Sequence, residues 1–461
     1  MSAVSARNVT DPLPRHFIHE KIAADAAAGV AVRTRFPPEP NGHLHIGHVK
    51  AIWLNFEMAR LFGGDCTLRY DDTNPETESA EFERSILEGI RWLGYGEGVP
   101  VRRASDYFDQ LHDFALQLIR SGKAYVCDLP LDELRRQRGD FNTPGIDSPH
   151  RTRTVEENLE RFAQMRSGEL PDGACSLRAR IDMQSSNLYL RDPVLYRIRR
   201  ARHHRTGDAW CIYPTYDFAH GLSDVIEGVS HSLCTLEFEE HRPLYDFLVD
   251  AVELPAGVRV RPRQTEFSRL QLDYTVTSKR RLAELIRLEV VEGWDDPRMP
   301  TLAGMQRRGY PPEAVLDLCR RVGVTRQQAW TDLGLLETCV REALSGVERA
   351  LAVLRPLRVV LTNLPEDFEQ SIPALRHPQE ESLGMRELLL QREVYIEQSD
   401  FVIEAPKGYF RLRPEGEVRL RHAGVIRHTG HDCRADGSVE TVYCEFLGEV
   451  DRKVKGVVHW V

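Results

Sequence analysis

The sequence predicts an α/β protein in which a doubly wound parallel sheet precedes an antiparallel β-barrel region. Residues 30–36 alternate apolar and polar side chains as a strand does, and apolar side chains then recur at helical spacing from residue 49 to residue 56. A second strand follows at 66–70, and this strand, helix, strand order is typical of parallel sheets. From about residue 348 the period changes to two, in runs at 357–361, 392–396, 417–421 and 440–444.

The composition is that of a globular protein with several domains. At 461 residues the chain is too long for one core and should form about three or four domains; 41% hydrophobic and 28% charged residues are ordinary values. No apolar run approaches about eighteen residues, so no membrane span is predicted, and the N-terminus lacks a secretory signal. The nine cysteines form no C-x-x-C pair, so we expect reduced thiols, a cytoplasmic location and no structural metal.

The charge is unevenly distributed. A net charge of −9 argues by itself against a nucleic-acid partner, but a nucleic-acid site needs only a basic patch. Residues 195–205, called the basic run below, contain five arginines and two histidines without an acid. A solvated surface and a nucleic-acid contact are both compatible with this run.

These patterns divide the chain into a helical lead-in, a parallel-sheet domain in two pieces, an inserted α+β domain, a helical subdomain and the β-barrel region. The predicted bounds, in that order, are 1–30, 31–105 with 216–270, 106–215, 271–347 and 348–461. The lead-in should hold one helix near 16–28. The insert should hold helices near 107–121 and 155–166 and short strands near 177–181 and 188–190. Such an insert can hold a second ligand over the sheet.

The turn at residues 37–48 is the strongest chemical signal. Its prolines end the first strand, and Asn41-Gly42 is typical of turns, with Asn41 expected to cap the following helix. His45 and His48 then share one face at a helix N-terminus, a location that favours phosphate. Two imidazoles there can stabilise charge that develops on a phosphorus centre, and Gly47 leaves room for a flat ring. An isolated pair of histidines would more often be structural.

Polar side chains also follow the second strand and begin a later helix. Asp71 and Asp72 fall outside the carboxyl end of a parallel strand, where ligands bind. A carboxylate there can pair with an ammonium group, or it can cap a helix that starts near Glu76. Tyr216 and His220 bring a phenol and an imidazole to the same region, where they can read a side-chain amide.

The turn resembles the His-Ile-Gly-His signature of class I aminoacyl-tRNA synthetases, and its Pro-Pro-Glu-Pro-Asn-Gly lead-in resembles their glutaminyl/glutamyl subgroup. The run 274–281 resembles the Ser-Lys loop of that class, with Thr277 in place of a methionine. Alone, this run would be taken for a surface loop. The resemblance covers residues 15–461 and implies a Rossmann-type catalytic domain, an insert that grips the acceptor end of tRNA, and barrels that read the anticodon.

The resemblance also implies roles for particular residues, with His45, His48 and Lys279 as the catalytic groups. The implied ATP site comprises Pro38, Glu39, Asn41, Gly42, His45, Gly47, His48, Thr277, Ser278 and Lys279. The implied amino-acid site comprises Arg35, Asp71, Tyr216 and His220, with Asp71 on the amino group. The implied tRNA contacts are Arg197, Arg199, Glu240, Gln264, Glu266, Arg349, Arg411, Arg419 and Arg421. In the β-barrel region, Arg411, Arg413, Arg419 and Arg421 are expected to point outward from strands and to give a basic face suited to single-stranded RNA.

Two features bear on the amino acid. Neutral groups at Tyr216 and His220 suit an amide, whereas a glutamate pocket needs a cation, and none occurs between residues 213 and 227, although Arg35 could enter from elsewhere. The run 231–238 matches the glutaminyl subgroup and departs from archaeal-type glutamyl enzymes. Glu240 stands where the family has an aspartate that reads the acceptor stem, so that contact is longer by a methylene.

The resemblance therefore implies ATP-dependent ligation of glutamine to tRNA(Gln), through a glutaminyl-adenylate, onto the terminal 2′-hydroxyl. Mg²⁺ is expected on the ATP phosphates, and bound tRNA is expected to be required for activation. We expect a cytoplasmic monomer with no membrane partner. A glutamyl-tRNA synthetase of archaeal or eukaryotic type and a catalytically silent RNA-binding relative are the alternatives.

The end of the chain departs from the family. Residues 453–461 form one more strand pattern, whereas the family continues by roughly a further half barrel. A terminal strand without a partner would leave an exposed sheet edge. We therefore expect that the natural protein is longer or that this chain is truncated.

Overall fold

The computed structural model describes residues 15–76 and 78–461, which form two compact units that meet in sequence between Ala343 and Leu344. The helices are α1 (Phe17–Ala27), α2 (Ile46–Leu61), α3 (Ala80–Trp92), α4 (Phe108–Arg120), α5 (Leu131–Arg138), α6 (Val155–Ser167), α7 (Tyr216–Glu227), α8 (Arg242–Ala251), α9 (Lys279–Arg287), α10 (Leu302–Arg308), α11 (Pro312–Val322) and α12 (Leu333–Ala343). None of these helices is long and apolar enough to cross a membrane. Residues 1–14 of the predicted lead-in lie outside the described residues, and α1 confirms its helix.

The strands of the first unit are β1 (Arg33–Phe36), β2 (Asp65–Tyr70), β3 (Val101–Arg103), β4 (Ala124–Cys127), β5 (Ser176–Ala179), β6 (Val194–Ile198), β7 (Ile212–Pro214), β8 (His231–Thr235), β9 (Arg263–Phe267), β10 (Gln271–Leu272) and β11 (Trp330–Thr331). Those of the second unit are β12 (Pro356–Leu361), β13 (Glu369–Leu375), β14 (Met385–Gln391), β15 (Glu393–Glu397), β16 (Glu417–Leu420), β17 (Gly424–Cys433), β18 (Val439–Gly448) and β19 (Val457–Val458).

Parallel strands form the middle of the first unit, as predicted. β2 pairs in parallel with β1 and with β3, and β8 pairs in parallel with β9. The carbonyl of Val32 accepts from Asp65 N at the start of β2, whereas the next carbonyl, of Arg33, accepts from Ser230 N just before β8. Because successive carbonyls of a strand point to opposite sides, β1 lies between β2 and β8.

The strand predicted at residues 30–36 is confirmed as β1, but its burial does not alternate. The strand begins only at Arg33, and Thr34, Arg35 and Phe36 are buried one after another. A central strand of a parallel sheet is covered on both faces, so its side chains do not alternate between core and solvent. The signature helix α2 covers one of these faces, with Ile52 and Trp53 fully buried.

The insert has its own antiparallel sheet in the order β4, β5, β6, β7. Helices α4 and α6 confirm the two predicted helices, and β5 confirms the strand near 177–181. The strand expected at 188–190 is wrong, because Leu188–Leu190 is one turn of 3₁₀ helix whose start is capped by the side chain of Asn187. Tyr196 of β6 packs on Phe218 of α7 with ring centroids 5.3 Å apart, so the insert shares a core with the helix that carries Tyr216.

The second unit is a nearly closed barrel. Its six-stranded sheet has the order β15, β12, β18, β17, β16, β19, and β13 and β14 form a separate antiparallel ribbon. Most pairings are antiparallel, but β12–β18 and β16–β19 are parallel. The unpaired edge expected at the chain end is wrong: β19 pairs with β16, while Val461 exchanges two backbone hydrogen bonds with Tyr395 of β15. The last residues therefore join the two edges of the sheet.

Candidate functional site

The signature stretch forms a turn and a helix start beyond the carboxyl end of β1. The N-cap of α2 is His45, and the expectation that Asn41 caps this helix is wrong, because α2 begins only at Ile46. Nδ1 of His45 accepts from Gly47 N at 3.2 Å, and His45 N donates to Nδ1 of His48 at 3.1 Å. A Cβ on Gly47 would lie 3.0 Å from the His45 ring. Glycine there lets the imidazole of His45 fold over the helix start.

These bonds determine where the two imidazoles carry their protons. Since Nδ1 of each ring accepts a backbone N–H, each neutral imidazole carries its proton on Nε2. Burial, with Lys279 close by, lowers the pKa of His45 to about 4. Burial beside His45 lowers the pKa of His48 well below its ordinary value. The two rings, 3.9 Å apart between centroids, are therefore neutral hydrogen-bond donors at pH 7.

Lys279 lies against the same turn although it is far away in sequence. Its Nζ donates to Oδ1 of Asn41, and Asn41 in turn donates to Glu39. A Cβ on Gly42 would lie 3.0 Å from Cδ of Lys279, so glycine leaves space for the lysine stem. Burial lowers the pKa of Lys279 from its ordinary value, which Glu39 opposes. Asn41 thus holds the lysine and does not cap the helix.

The two residues before Lys279 are more open to solvent. Ser278 is the N-cap of α9 and is exposed, while Thr277 is half-buried. Further upstream, Tyr274 has 98% of its surface exposed and a left-handed φ of 54°. The predicted Ser-Lys loop therefore lies at the surface, and its lysine reaches inward to Asn41.

A cavity of about 250 Å³ joins the turn, α9 and α7. Larger cavities, of about 380 to 850 Å³, lie elsewhere in the first unit, but this one brings the predicted groups together. Among its lining residues are Pro38, Glu39, Gly42, His48 and Lys279 from the predicted ATP site and Tyr216 and His220 from the predicted amino-acid site. His45, Arg35 and Asp71 lie beside it and do not line it.

Tyr216 and His220 occupy successive turns at the start of α7, with their rings stacked 5.1 Å apart. Nη2 of Arg35 meets Nε2 of His220 at 2.9 Å, and because a guanidinium only donates, Nε2 accepts and Nδ1 carries the proton. Nδ1 of His220 is buried and has no hydrogen-bond partner among the described residues. Burial and the charge of Arg35 lower the pKa of His220 well below its ordinary value. His220 is therefore a neutral ring with one unused donor.

Asp71 places a buried carboxylate beside the turn. Its backbone N–H donates to the Pro38 carbonyl at 3.0 Å, which places it against the turn. Both carboxylate oxygens are buried and unpartnered within the described part of the chain, and burial raises the pKa of Asp71 to about 7. A primary ammonium is the kind of ligand that would satisfy these two oxygens.

Asp72 is used differently. It accepts from the backbone N–H of Ser105 at 2.8 Å and from its hydroxyl at 2.5 Å. The expectation that one of the two aspartates caps a helix near Glu76 is wrong, because α3 begins at Ala80 and Ser79 caps it. Asp72 instead attaches the end of β2 to the segment that leads into the insert.

Three predicted tRNA residues lie around the 3₁₀ helix Leu236–Phe238 that follows β8. Glu240 is exposed, and its carbonyl accepts from Asn187 of the insert at 2.8 Å. Gln264 is buried, with Nε2 donating to the Phe238 carbonyl and to Glu266 at 3.0 Å each. Glu266 is also buried and accepts from Arg242 at 2.7 Å. Gln264 and Glu266 are therefore hydrogen-bonded within the protein, and Gln264 holds the backbone of this 3₁₀ helix at Phe238.

Most of the basic run is paired within the protein. Arg197 is exposed on β6, but Arg199 donates to Glu76 at 3.1 Å and Arg200 to the carbonyls of Gly168 and Leu170. Arg205 donates to Asp106 at 2.7 Å. The run is thus in part a structural element of the insert.

The run's two histidines contribute to a cluster that the sequence did not suggest. Donor atoms of Glu78, His203 and His204 lie within 4.8 Å of one another, a spacing compatible with a metal. However, both ring nitrogens of His203 are engaged, Nε2 with the Asp72 carbonyl and Nδ1 with Arg205 N. The cluster is better described as a hydrogen-bonded link between the insert and the end of β2.

The predicted arginines of the second unit are partly engaged as well. Arg349 donates to the carbonyls of residues 344 and 345, Arg411 to that of Val457, and Arg419 to Glu449. Arg421 is exposed. The expectation that Arg411 and Arg413 project from a strand is wrong, because both precede β16. Their backbone follows a bend and a turn there.

Two side chains near Tyr216 complete this part of the cavity although no sequence motif pointed to them individually. Cys234 and Phe238 line the cavity, and the Phe238 ring lies 5.4 Å from that of Tyr216. Both fall in the run 231–238 that distinguishes the subgroups. Their position at the carboxyl end of a parallel strand was the available signal.

Comparison with known proteins identifies the family. The family model of the catalytic domain of class I tRNA synthetases (E and Q) matches residues 31–345, and that of their anticodon-binding domain matches residues 347–447. A glutamine–tRNA ligase of Pseudomonas syringae pv. tomato is 52% identical over 458 residues, which are 97% of this chain and 80% of that protein. One of Azotobacter vinelandii is 52% identical over 459 residues, 98% of this chain and 82% of that protein.

Among solved structures, a glutamate tRNA ligase from Elizabethkingia meningosepticum superimposes with a TM-score of 0.51 at 19% identity. It covers 69% of this chain and 70% of its own. At that identity the likeness concerns the fold alone. On the strength of the two family matches and the relatives at 52% identity, the chain belongs to the class I tRNA synthetases of the glutamate and glutamine group.

Proposed function

We propose that this chain is an enzyme that joins glutamine to tRNA(Gln) at the expense of ATP. The relatives named glutamine–tRNA ligase, which match nearly its whole length, support this reaction. The observation that carries the choice of amino acid is the neutral His220, whose unused Nδ1–H lies beside the cavity. A neutral donor suits a side-chain amide, whereas a buried carboxylate would require a cation.

In the first step the carboxylate of glutamine attacks the α-phosphorus of ATP and pyrophosphate leaves. ATP enters as its Mg²⁺ complex, and the metal screens the phosphate charges. His45 and His48 would donate from Nε2 to oxygens of the phosphorus centre, since Nδ1 of each ring is already engaged. Lys279 would leave its hydrogen bond with Asn41 and donate to the departing pyrophosphate. The residues from Pro38 to Gly47, together with Thr277 and Ser278, would surround the nucleotide.

Asp71 would hold the α-ammonium group of glutamine. Its two buried oxygens lack partners in the part of the chain described here, and an ammonium would bring their pKa back toward its ordinary range. Tyr216 and His220 would contact the side chain of the substrate. Arg35 would act through His220, because its own guanidinium is buried behind that ring.

In the second step the 2′-hydroxyl of the terminal adenosine attacks the adenylate carbonyl and AMP leaves. The insert at 106–215 would hold the acceptor end through Arg197 and Arg199, with Glu240 next to the insert as a further contact. Gln264 and Glu266 would act by positioning the 3₁₀ helix Leu236–Phe238. The region from 348 onward would read the anticodon, with Arg349, Arg411, Arg419 and Arg421 as candidate contacts. We further propose a cytoplasmic monomer that needs bound tRNA for activation.

Aminoacylation tests this proposal directly. Purified protein is incubated with Mg²⁺-ATP, tRNA(Gln) or tRNA(Glu), and labelled glutamine or glutamate, and charged tRNA is measured. We expect charging of tRNA(Gln) with glutamine only. Preferential charging with glutamate would overturn the choice of substrate. Pyrophosphate exchange that proceeds equally without tRNA would overturn the requirement for tRNA alone.

A further inference from the structure

Behind the cavity lies a buried cluster of four charged side chains that the two reaction steps do not use directly. Arg35, Arg69, Asp224 and Glu227 expose at most 2% of their side-chain surface. Two guanidiniums and two carboxylates give the cluster a formal charge of zero. Such a cluster carries a desolvation cost that only close pairing offsets. The presence of four buried charges is therefore not explained by stability alone.

Asp224 is the centre of this cluster. Its Oδ1 accepts from Nε of Arg35 at 3.0 Å and from Nη1 of Arg69 at 2.7 Å. Its Oδ2 accepts from the hydroxyl of Tyr245 at 2.9 Å. Although burial alone would raise the pKa of Asp224, the two guanidiniums hold it well below its ordinary value. Glu227 contacts only the far guanidinium of the cluster, that of Arg69, at 3.6 Å.

The cluster reaches the cavity through Arg35. Nη1 of Arg35 donates to the Leu233 carbonyl at 2.9 Å, and Nη2 donates to Nε2 of His220. Leu233 and His220 both line the cavity, so one layer of side chains separates the guanidinium from a bound amino acid. At so short a range in a low-dielectric interior, an unbalanced guanidinium would attract a carboxylate strongly.

We infer that Asp224 is a specificity-determining residue that cancels the charge of Arg35, so that the cavity accepts an amide side chain and rejects a carboxylate. With Asp224 in place, a glutamate side chain would lose hydration on entry and would gain no counter-charge from Arg35 in return. Arg35, paired with Asp224, can then donate to Nε2 of His220 and so keep the proton of that ring on Nδ1. This inference rests on the proposed amino-acid site and extends it to residues that never touch the substrate.

The test is the ratio of kcat/KM for glutamine to kcat/KM for glutamate, measured with the full chain, Mg²⁺-ATP and tRNA(Gln). In Asp224→Asn we expect this ratio to fall at least about tenfold, with an absolute gain in the glutamate reaction. Glu227→Gln is the matched control, because it makes the same isosteric change in the same cluster without touching Arg35. Its ratio should stay within about threefold of wild type.

A second variant guards against a failure of Asp224→Asn to fold. Arg35→Gln leaves Asp224 paired with Arg69 and Tyr245, and it should make the ratio rise or stay unchanged, because the cluster becomes more negative. A ratio that falls in Arg35→Gln, or a folded Asp224→Asn with the wild-type ratio, overturns the inference. If the wild-type protein charges glutamine, either of these results rejects the inference about Asp224 and leaves the proposed function standing. If the wild-type protein prefers glutamate, the proposed function itself is rejected.

Discussion

Replacing His48 by alanine removes two roles of this side chain, the proposed one of a hydrogen-bond donor to phosphate and that of a cap of α2. Nδ1 of His48 accepts from His45 N at 3.1 Å, and Nε2 keeps the proton on the side away from the helix start. Loss of a donor aimed at developing phosphate charge should lower the activation rate by on the order of 10² to 10³, or about 2.7–4 kcal/mol. Loss of the reciprocal cap should lower the free energy of unfolding by about 1 kcal/mol.

His48→Gln is the matched control. Glutamine at this third helical position is the usual capping-box partner, so its side chain can accept from His45 N and restore the cap. Its amide has no fixed place at the reacting phosphate, so activation should remain low. Pyrophosphate exchange with glutamine and tRNA measures the rate, and urea denaturation measures stability. Exchange within about threefold of wild type in His48→Ala would refute the donor role; equal stabilities of the two variants would refute the cap.

Three further predictions concern Gly42, Asp71 and Trp460. Gly42→Ala should slow activation by about tenfold or more while stability changes little, because the new Cβ would lie 3.0 Å from Cδ of Lys279; exchange kinetics and thermal melts check this. Since burial raises the pKa of Asp71 to about 7 and only its ionised form pairs with an ammonium, the KM for glutamine should fall as pH rises from about 6 to 8, a trend that Asp71→Asn should abolish. Trp460→Ala should lower the free energy of unfolding by about 3–5 kcal/mol, because this buried side chain also donates to the Arg421 carbonyl at 3.0 Å; a denaturation curve that superimposes on wild type would contradict it.

Local sequence patterns were sufficient for elements that depend on local chemistry. Helices α2, α4 and α6 follow apolar spacing and their ends follow turn residues, so periodicity predicted them. A strand was wrongly predicted at 188–190 because apolar residues two apart also occur in a single helical turn. The Asn187 side chain, which accepts from Tyr189 N, stabilises that turn. Strand β17 had no clear period because glycines and histidines interrupt it.

Site residues could be predicted where an unusual residue type occurs at a strand end or helix start. They could not be predicted where the contact joins residues that are far apart in sequence. Position alone singled out the histidine pair and the two aspartates after β2, but the choice of Asp71 over Asp72 came from the family resemblance. The contact of Lys279 with Asn41, 238 positions apart, depends on how α9 meets the turn, and no local pattern contains it. Asp224 looks like an ordinary polar residue of a helix, although Arg35, 189 positions away, makes it the centre of a buried cluster.

The two glycines of the signature turn have a common physical reason. A Cβ at Gly42 would meet the stem of Lys279, and a Cβ at Gly47 would meet the ring of His45, each at 3.0 Å. In both places a side chain proposed to act on ATP lies directly against backbone. The turn therefore holds the lysine and one histidine by giving each the space that a side chain would otherwise fill. The spacing of the signature is set by how these groups pack as much as by what they do to phosphate.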